Sequence, residues 1–166
     1  MYKRTYIVSS YYHKHQLPVI VARIFNIIGP RQSGHYGMVV PKFIEQAKQN
    51  KTLSIYGDGQ QTRIFCHVKS FCHILSSLLE ADKAIGEVIN VGNDKPVTIK
   101  TIAQMVIRQL SSSARYEYVD FATAYGSGYI AIHDRRPELS KLHSIIGSLP
   151  TMRFDDALDD IVHCQT

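Results

Sequence analysis

The sequence lacks the long apolar segments that mark membrane and secreted proteins. None of its apolar runs approaches the roughly 20 residues that a transmembrane helix needs. The first residues, MYKRTYIVSSYYHKHQ, lack the continuous apolar stretch of a signal peptide. The 166 residues, 45% hydrophobic and 20% charged, have the composition of one ordinary globular domain. We therefore expect a cytoplasmic protein with no membrane partner.

Cysteine is scarce, and the histidines form no ligand pattern. The three cysteines, Cys66, Cys72 and Cys164, are odd in number and contain no C-x-x-C pair, so neither a disulfide framework nor a zinc site is expected. Of the eight histidines, His13 and His15 are two residues apart, which is not a helical ligand spacing. The sequence therefore predicts no metal site.

The net charge is positive but is not concentrated in one segment. A formal charge of +5 and a pI near 9.1 favour an anionic partner, yet the basic residues are scattered along the chain. No nucleic-acid recognition motif and no aromatic interleaving accompany them. This distribution indicates phosphate binding and no nucleic-acid partner.

Strand and helix patterns alternate along the whole chain. Residues 5–16 are typical of the tail of an amphipathic helix without a capping start, so we expect the chain to begin inside a fold. The run LPVIVARIFNIIG predicts a strand buried on both faces of a parallel sheet. The remaining predicted strands are Leu53 to Tyr56, RIFCHV, EVINVG and RYEYV.

Five further helices are predicted between and after these strands. They cover Val40 to Asn50, FCHILSSLLEAD with Ser70 as its cap, Ile99 to Leu110 with Thr98 as its cap, and the two closing segments Pro137 to Ile146 and Asp155 to His163. Alternation over the full length predicts an α/β fold with a small irregular sheet.

Three segments carry polar groups that structure alone does not require. Arg23 and Asn26 lie in or just beyond the buried strand, where they either bind a ligand or hold the next loop. Arg63 follows the GDGQQ turn, where it either grips a phosphate or forms a surface salt bridge. The adjacent Arg135 and Arg136 precede a predicted helix; one is expected to point inward to an anion, or both are solvated surface.

The order and spacing of these segments resemble one family. LPVIVARIFNIIGPRQSGHYGMVVPKFIEQA, LSIYGDGQQTRIFCHV, GEVINVGN and RRPELSKLHSIIGSLPTMRFDDAL are similar to the extended short-chain dehydrogenase/reductases that act on nucleotide sugars, which include UDP-glucose 4-epimerases and dTDP-glucose 4,6-dehydratases. The resemblance covers nearly the whole chain. It implies residues 1–30 as the last helix and strand of a Rossmann-type, dinucleotide-binding sheet, and residues 31–166 as a small α/β nucleotide-sugar-binding lobe.

The resemblance also implies roles for particular residues. Asn26 would contact the sugar or diphosphate, Phe25 would lie beside the nicotinamide of NAD, and Val39 would close the nucleotide pocket. Ser54, Ile55 and Tyr56 belong to one strand, which would lie against the base. Arg63 and Arg135 would grip the diphosphate, and Glu138 would bind the ribose. Ser70, Glu138 and Ser148 replace an aspartate, an aspartate and a tryptophan of the family pattern.

Two parts of the family pattern are missing from this sequence. The family holds NAD on a Gly-rich turn after its first strand and uses the tyrosine of a Y-x-x-x-K motif as base; neither is found here. The resemblance therefore implies an isomerase or lyase part that binds the nucleotide sugar but is inactive alone, with an amino-terminal partner polypeptide or a longer chain supplying the rest. A homodimer is compatible with it, and a degenerate protein-interaction module is the alternative. It leaves open which sugar, base and reaction are involved.

Overall fold

The computed structural model describes residues 2–32, 34, 38–126, 134–148 and 151–164. The helices are α1 (Tyr2–His15), α2 (Val39–Lys48), α3 (Val68–Leu79), α4 (Ile99–Gln109), α5 (Phe121–Tyr125), α6 (Ser140–Ile146) and α7 (Phe154–Cys164). The strands are β1 (Val21–Ile24), β2 (Ile27–Ile28), β3 (Leu53–Tyr56), β4 (Thr62–Ile64), β5 (Cys66–His67), β6 (Val88–Val91), β7 (Pro96–Thr98) and β8 (Tyr116–Val119).

The predicted α/β fold with a small irregular sheet is confirmed. Within the described residues the strands pair two by two: β1 with β6, β2 with β5, β3 with β8, and β4 with β7. The chain divides into two compact units. The first contains Met1–Ile27, Phe65–Asp94 and Pro137–Met152, and the second contains Ile28–Ile64, Lys95–Arg136 and Arg153–Thr166.

The first unit is built on the parallel pair β1 and β6. Their register runs from Val21 opposite Val88 to Ile24 opposite Val91. Buried residues of β6, α3 and α6 form its core, namely Ile74, Leu78, Ile89, Val91 and Leu142. Helix α1 crosses the turn before β6 so closely that a Cβ on Gly86 would lie 2.5 Å from the ring of Tyr12.

The second unit contains the parallel pair β3 and β8 and the antiparallel pair β4 and β7. Helices α2, α4 and α7 supply most of its fully buried side chains, among them Phe43, Ile44, Ile102, Val106, Leu158 and Ile161. Thr98 caps α4 by accepting a hydrogen bond from the Thr101 amide at 3.1 Å, as predicted. In this unit β3 packs against α2 and α4.

The long strand predicted from LPVIVARIFNIIG is wrong in two respects. It is broken into β1 and β2 at Phe25 and Asn26, because Asn26 adopts a positive φ of 31° that ends the extended conformation. Its first half is not buried on both faces, since β1 is half-buried and Ile24 is 56% exposed. In the described residues β1 pairs with one strand, β6, whereas an interior strand of a parallel sheet has a neighbour along each edge.

Two predicted helix starts are also wrong. Helix α3 begins at Val68, and its cap is His67, whose ring nitrogen accepts a hydrogen bond from the Lys69 amide. Ser70 lies inside the helix, where its hydroxyl accepts the amide of Met152 at 3.1 Å. The helix predicted from Pro137 starts three residues later, so the arginines before Pro137 do not lie directly at a helix amino terminus.

Candidate functional site

Two arginine-bearing segments of the second unit are held together by one hydrogen bond. The hydroxyl of Thr62, in β4, donates to the Asp134 carboxylate at 2.8 Å. Arg63 directly follows Thr62, and Arg135 directly follows Asp134. Because neighbouring Cα atoms are about 3.8 Å apart, the two arginine side chains begin within a few ångströms of this hydrogen bond. The structure therefore joins the two segments that carry the arginines that the resemblance assigned to a diphosphate.

Asp134 also determines which arginine of the adjacent pair is available to an anion. Its second carboxylate oxygen forms an ion pair with the Nε of Arg136 at 3.2 Å. Arg135 is exposed and has no ion pair within the described part of the chain. The prediction that one of Arg135 and Arg136 points inward and the other outward is wrong, since both are exposed. They differ instead in their pairing, because Asp134 neutralises Arg136 and leaves the charge of Arg135 uncompensated.

Strand β3 presents different side chains on its two faces. Leu53 and Ile55 are fully buried, whereas Ser54 and Tyr56 are half-buried on the opposite face. A ligand on the Ser54 and Tyr56 face therefore meets Ile55 only through its main chain. The amides of Leu53 and Gly57 donate to the carbonyls of Arg115 and Val119, at the two ends of β8, so by alternation the main-chain groups of Ser54 point to the other edge. No strand occupies that edge among the described residues.

Helix α2 contributes a residue that the sequence analysis missed. Val39, its first residue, is half-buried, and Lys42 lies one turn further on the same face. The ammonium of Lys42 donates to the hydroxyl of Tyr56 at 3.0 Å and lies 4.9 Å from the ring centroid. Its spacing of three from Val39 was the sequence signal that could have indicated it.

The first unit gathers a second set of predicted residues at the carboxyl ends of β1 and β6. The amide of Phe25 donates to the Val91 carbonyl at 2.9 Å, which places Phe25 beside the end of β6. A Cβ on Gly92 would lie 3.1 Å from the Cβ of Phe25 and 3.4 Å from the Cγ of Pro137. Gly92 therefore allows these two residues to approach each other. In α/β proteins this edge of a parallel sheet is where ligands bind.

Asn26 and Glu138 lie at the same edge. Asn26 is exposed, and its carbonyl accepts the Cys66 amide at 3.0 Å. The side chain of Asn90, in β6, donates to the carbonyl of Glu138 at 2.9 Å. The Glu138 carboxylate accepts from both the hydroxyl and the amide of Ser140, and these hydrogen bonds lower its pKa. It is therefore an oriented anion at the start of α6.

Other kinds of site receive no support from the described residues. No three His, Cys, Asp or Glu side chains in them are grouped to hold a metal ion. None of their helices is both long and apolar enough to cross a membrane. Arg23 lies opposite Asn90 in the β1 and β6 register and is half-buried. The candidate side chains are therefore two arginines and an ordered tyrosine in the second unit and, separately, an asparagine and a glutamate in the first.

Comparison with known proteins identifies what this arrangement is similar to. The family model of the NAD dependent epimerase/dehydratase family matches residues 3–92. UDP-N-acetyl-alpha-D-glucosaminuronate decarboxylase of Bacillus cytotoxicus is 34% identical over 147 residues, which cover 88% of this chain and 46% of that protein. Low-salt glycan biosynthesis protein Agl12 of Haloferax volcanii is 31% identical over 159 residues, which cover 94% of this chain and 47% of that protein.

Solved structures have the same fold as this chain, and the chain again matches about half of their length. A UDP-N-acetylglucosamine 4-epimerase of Methanobrevibacter ruminantium superposes with a TM-score of 0.81 at 28% identity, covering 97% of this chain and 50% of that one. UDP-glucuronic acid 4-epimerase of Bacillus cereus, solved with NAD, superposes with a TM-score of 0.80 at 26% identity. The match covers 96% of this chain and 48% of that one. The chain thus spans about half the length of the relatives it matches. By sequence and by fold, it belongs to the NAD-dependent epimerase/dehydratase family.

Proposed function

We propose that this chain is the nucleotide-sugar-binding part of an NAD-dependent epimerase/dehydratase, and that Arg63 and Arg135 bind the substrate diphosphate. The observation that carries the proposal is the Thr62–Asp134 hydrogen bond, which holds the two arginine segments side by side. Guanidinium groups offer planar forks of donors that match phosphate oxygens. Two such groups at one place favour a ligand with two phosphates.

The charge at Arg135 supports the same assignment. A guanidinium with a carboxylate partner has its charge already compensated, as Arg136 does through Asp134. Arg135 has no such partner in the described residues, so an arriving phosphate would not have to displace one. The half-buried Arg63 is partly oriented by its hydrogen bond to the carbonyl of Thr62 at 2.6 Å. An oriented arginine loses less side-chain entropy when a ligand binds.

For the base we propose the open edge of β3. Ser54 and Tyr56 would face the base, Ile55 would support them from the core, and Val39 would close the pocket from α2. From the family resemblance we also propose that Asn26 contacts the sugar or diphosphate and that Glu138 binds the ribose. The Bacillus cereus neighbour was also solved with UDP-glucuronic acid and NAD, which supports a nucleotide sugar as the ligand class.

We propose that this chain alone does not turn over substrate. NAD would supply the hydride acceptor, and the residue here that would lie beside it is Phe25, whose main chain is at the carboxyl end of β1, the edge of a parallel sheet at which ligands commonly bind. The Gly-rich turn and the Y-x-x-x-K base are absent from this sequence. Epimerisation, dehydration or decarboxylation would therefore require residues from a longer chain or from an amino-terminal partner polypeptide.

Isothermal titration of the folded chain with UDP-glucose and, separately, with NAD tests the proposal. We expect UDP-glucose to bind and NAD not to bind. The Arg63→Ala/Arg135→Ala variant should lose UDP-glucose binding. The matched control is Arg108→Ala/Arg153→Ala, which also removes two guanidinium groups of the second unit but takes them from surface ion pairs with Asp155 and Asp156. Equal losses in both variants, or no binding by a sample that circular dichroism shows to be folded, would contradict the proposal.

A second candidate is a non-catalytic module that binds a partner protein with an apolar surface. The exposure of Ile24, on a strand of the first unit, favours it, as do the exposed apolar side chains of α1 and its connection to β1, Tyr6, Ile7, Tyr11 and Leu17. Sedimentation velocity and binding of an apolar dye test this reading. A monodisperse monomer that binds no dye would argue against it.

A further inference from the structure

Tyr56 is restrained at its side chain by a residue from another element. The Lys42 ammonium, on α2, donates to the phenol oxygen at 3.0 Å. This hydrogen bond links residues fourteen positions apart in a partly buried setting. Since a lysine side chain has several rotatable bonds, holding it against one acceptor costs side-chain entropy. The contact therefore orders both side chains.

Tyr56 is restrained at its main chain as well. The side-chain amide nitrogen of Gln61, Nε2, donates to the Tyr56 carbonyl at 2.6 Å, and Gln61 is only 6% exposed. The other end of that amide, Oε1, is buried without a hydrogen-bond partner in the described part of the chain. Gly57 follows with a φ of +74° and has the ring of Phe121 against its backbone.

The charge of Lys42 is not explained by an ion pair. No carboxylate pairs with it among the described residues, and its hydrogen bond there is to the hydroxyl of Tyr56. An apolar side chain would cover this part of β3 without the cost of desolvating an ammonium. What an ammonium adds is a directional donor that fixes the orientation of the Tyr56 ring about its Cα–Cβ and Cβ–Cγ bonds.

We propose that Lys42 is a positioning residue for the nucleotide base: it holds the Tyr56 ring as a preformed wall of the base subsite beside the open edge of β3. This inference rests on the proposed function. It separates two parts of the ligand, because Lys42 would act on the base through Tyr56, whereas Arg63 and Arg135 would act on the diphosphate. A ligand without a base should therefore be insensitive to Lys42.

Titration of the full chain with UDP and with inorganic pyrophosphate tests this separation. Removal of one charge-assisted hydrogen bond by Lys42→Met should weaken UDP binding about tenfold and leave pyrophosphate binding within about twofold. Tyr56→Phe, which removes only the acceptor oxygen, should show the same pattern. The double variant should be no weaker than either single variant, because both changes break one contact. Lys42→Arg keeps a donor and should restore UDP affinity.

The matched control is Lys51→Met, which removes an exposed lysine of the same unit. Additive losses in the double variant would overturn the positioning role. So would an equal loss for pyrophosphate, because Lys42 would then contact phosphate directly. If Arg63→Ala/Arg135→Ala abolishes UDP binding while Lys42→Met and Tyr56→Phe leave it unchanged, the inference fails and the proposed function stands. If the wild-type chain binds neither ligand, both fail.

Discussion

Replacing Thr62 with valine removes the hydroxyl that ties the two arginine segments together while keeping the shape of the side chain. Thr62 donates to Asp134 at 2.8 Å, and Asp134 is the residue before Arg135. Neither arginine is altered by the substitution. Any loss of diphosphate affinity in Thr62→Val therefore reports the arrangement of Arg63 and Arg135 and not their charge.

The size of the effect follows from the exposure of this hydrogen bond. A hydrogen bond to a charged group contributes about 1.5–3 kcal/mol when it is shielded from water. The Thr62–Asp134 bond is exposed, so water replaces part of it when it is lost. We therefore expect a cost of about 1 kcal/mol, which corresponds to roughly fivefold weaker binding of UDP-glucose. The expected change in unfolding free energy is no larger than this.

Isothermal titration with UDP-glucose measures the loss, and urea denaturation followed by circular dichroism measures stability. Thr52→Val is the control, because Thr52 is an exposed threonine of the same unit with no side-chain hydrogen bond among the described residues. If Thr62→Val binds as tightly as the control, the hydrogen bond does not hold Arg135 in place for the ligand. A loss as complete as in Arg63→Ala/Arg135→Ala would also contradict the estimate.

The remaining predictions concern reactivity and stability. Burial raises the pKa of Cys66 to about 11, so a thiol reagent at neutral pH should modify the exposed Cys72 and Cys164 but reach Cys66 only after denaturation; modification of all three in the native state would contradict its burial. Leu158→Ala should lower the unfolding free energy by about 2–5 kcal/mol, because this fully buried side chain of α7 leaves a cavity. Urea midpoints would show it, and an unchanged midpoint would refute the packing described for α7. The pKa of Glu138 is lowered in the folded chain, so its contribution is present above the unfolded pKa and is lost as pH falls through the folded value. The melting-temperature difference between wild type and Glu138→Gln should therefore shrink below about pH 4, and a difference that grows on acidification would reverse the assigned sign.

Local sequence patterns were sufficient to predict most elements of the fold. The alternating β3, the apolar segments that became β6 and β8, and helix α4 with its Thr98 cap are confirmed. These elements depend on the periodicity of nearby residues and on a cap three positions away, both of which are present in the sequence itself. The break between β1 and β2 was missed because the positive φ of Asn26 reflects its surroundings and not its neighbours in sequence.

The residue types for phosphate binding were also visible in the sequence, because arginine has few roles as specific as gripping an anion. Their arrangement was not. The hydrogen bond that joins Thr62 to Asp134 spans 72 positions, and the one from Ser70 to Met152 spans 82. The contact between Lys42 and Tyr56 likewise depends on how α2 packs beside β3. Side chains this far apart in sequence meet only after the chain has folded, so tertiary structure alone decided which threonine Asp134 accepts a hydrogen bond from and which tyrosine Lys42 holds.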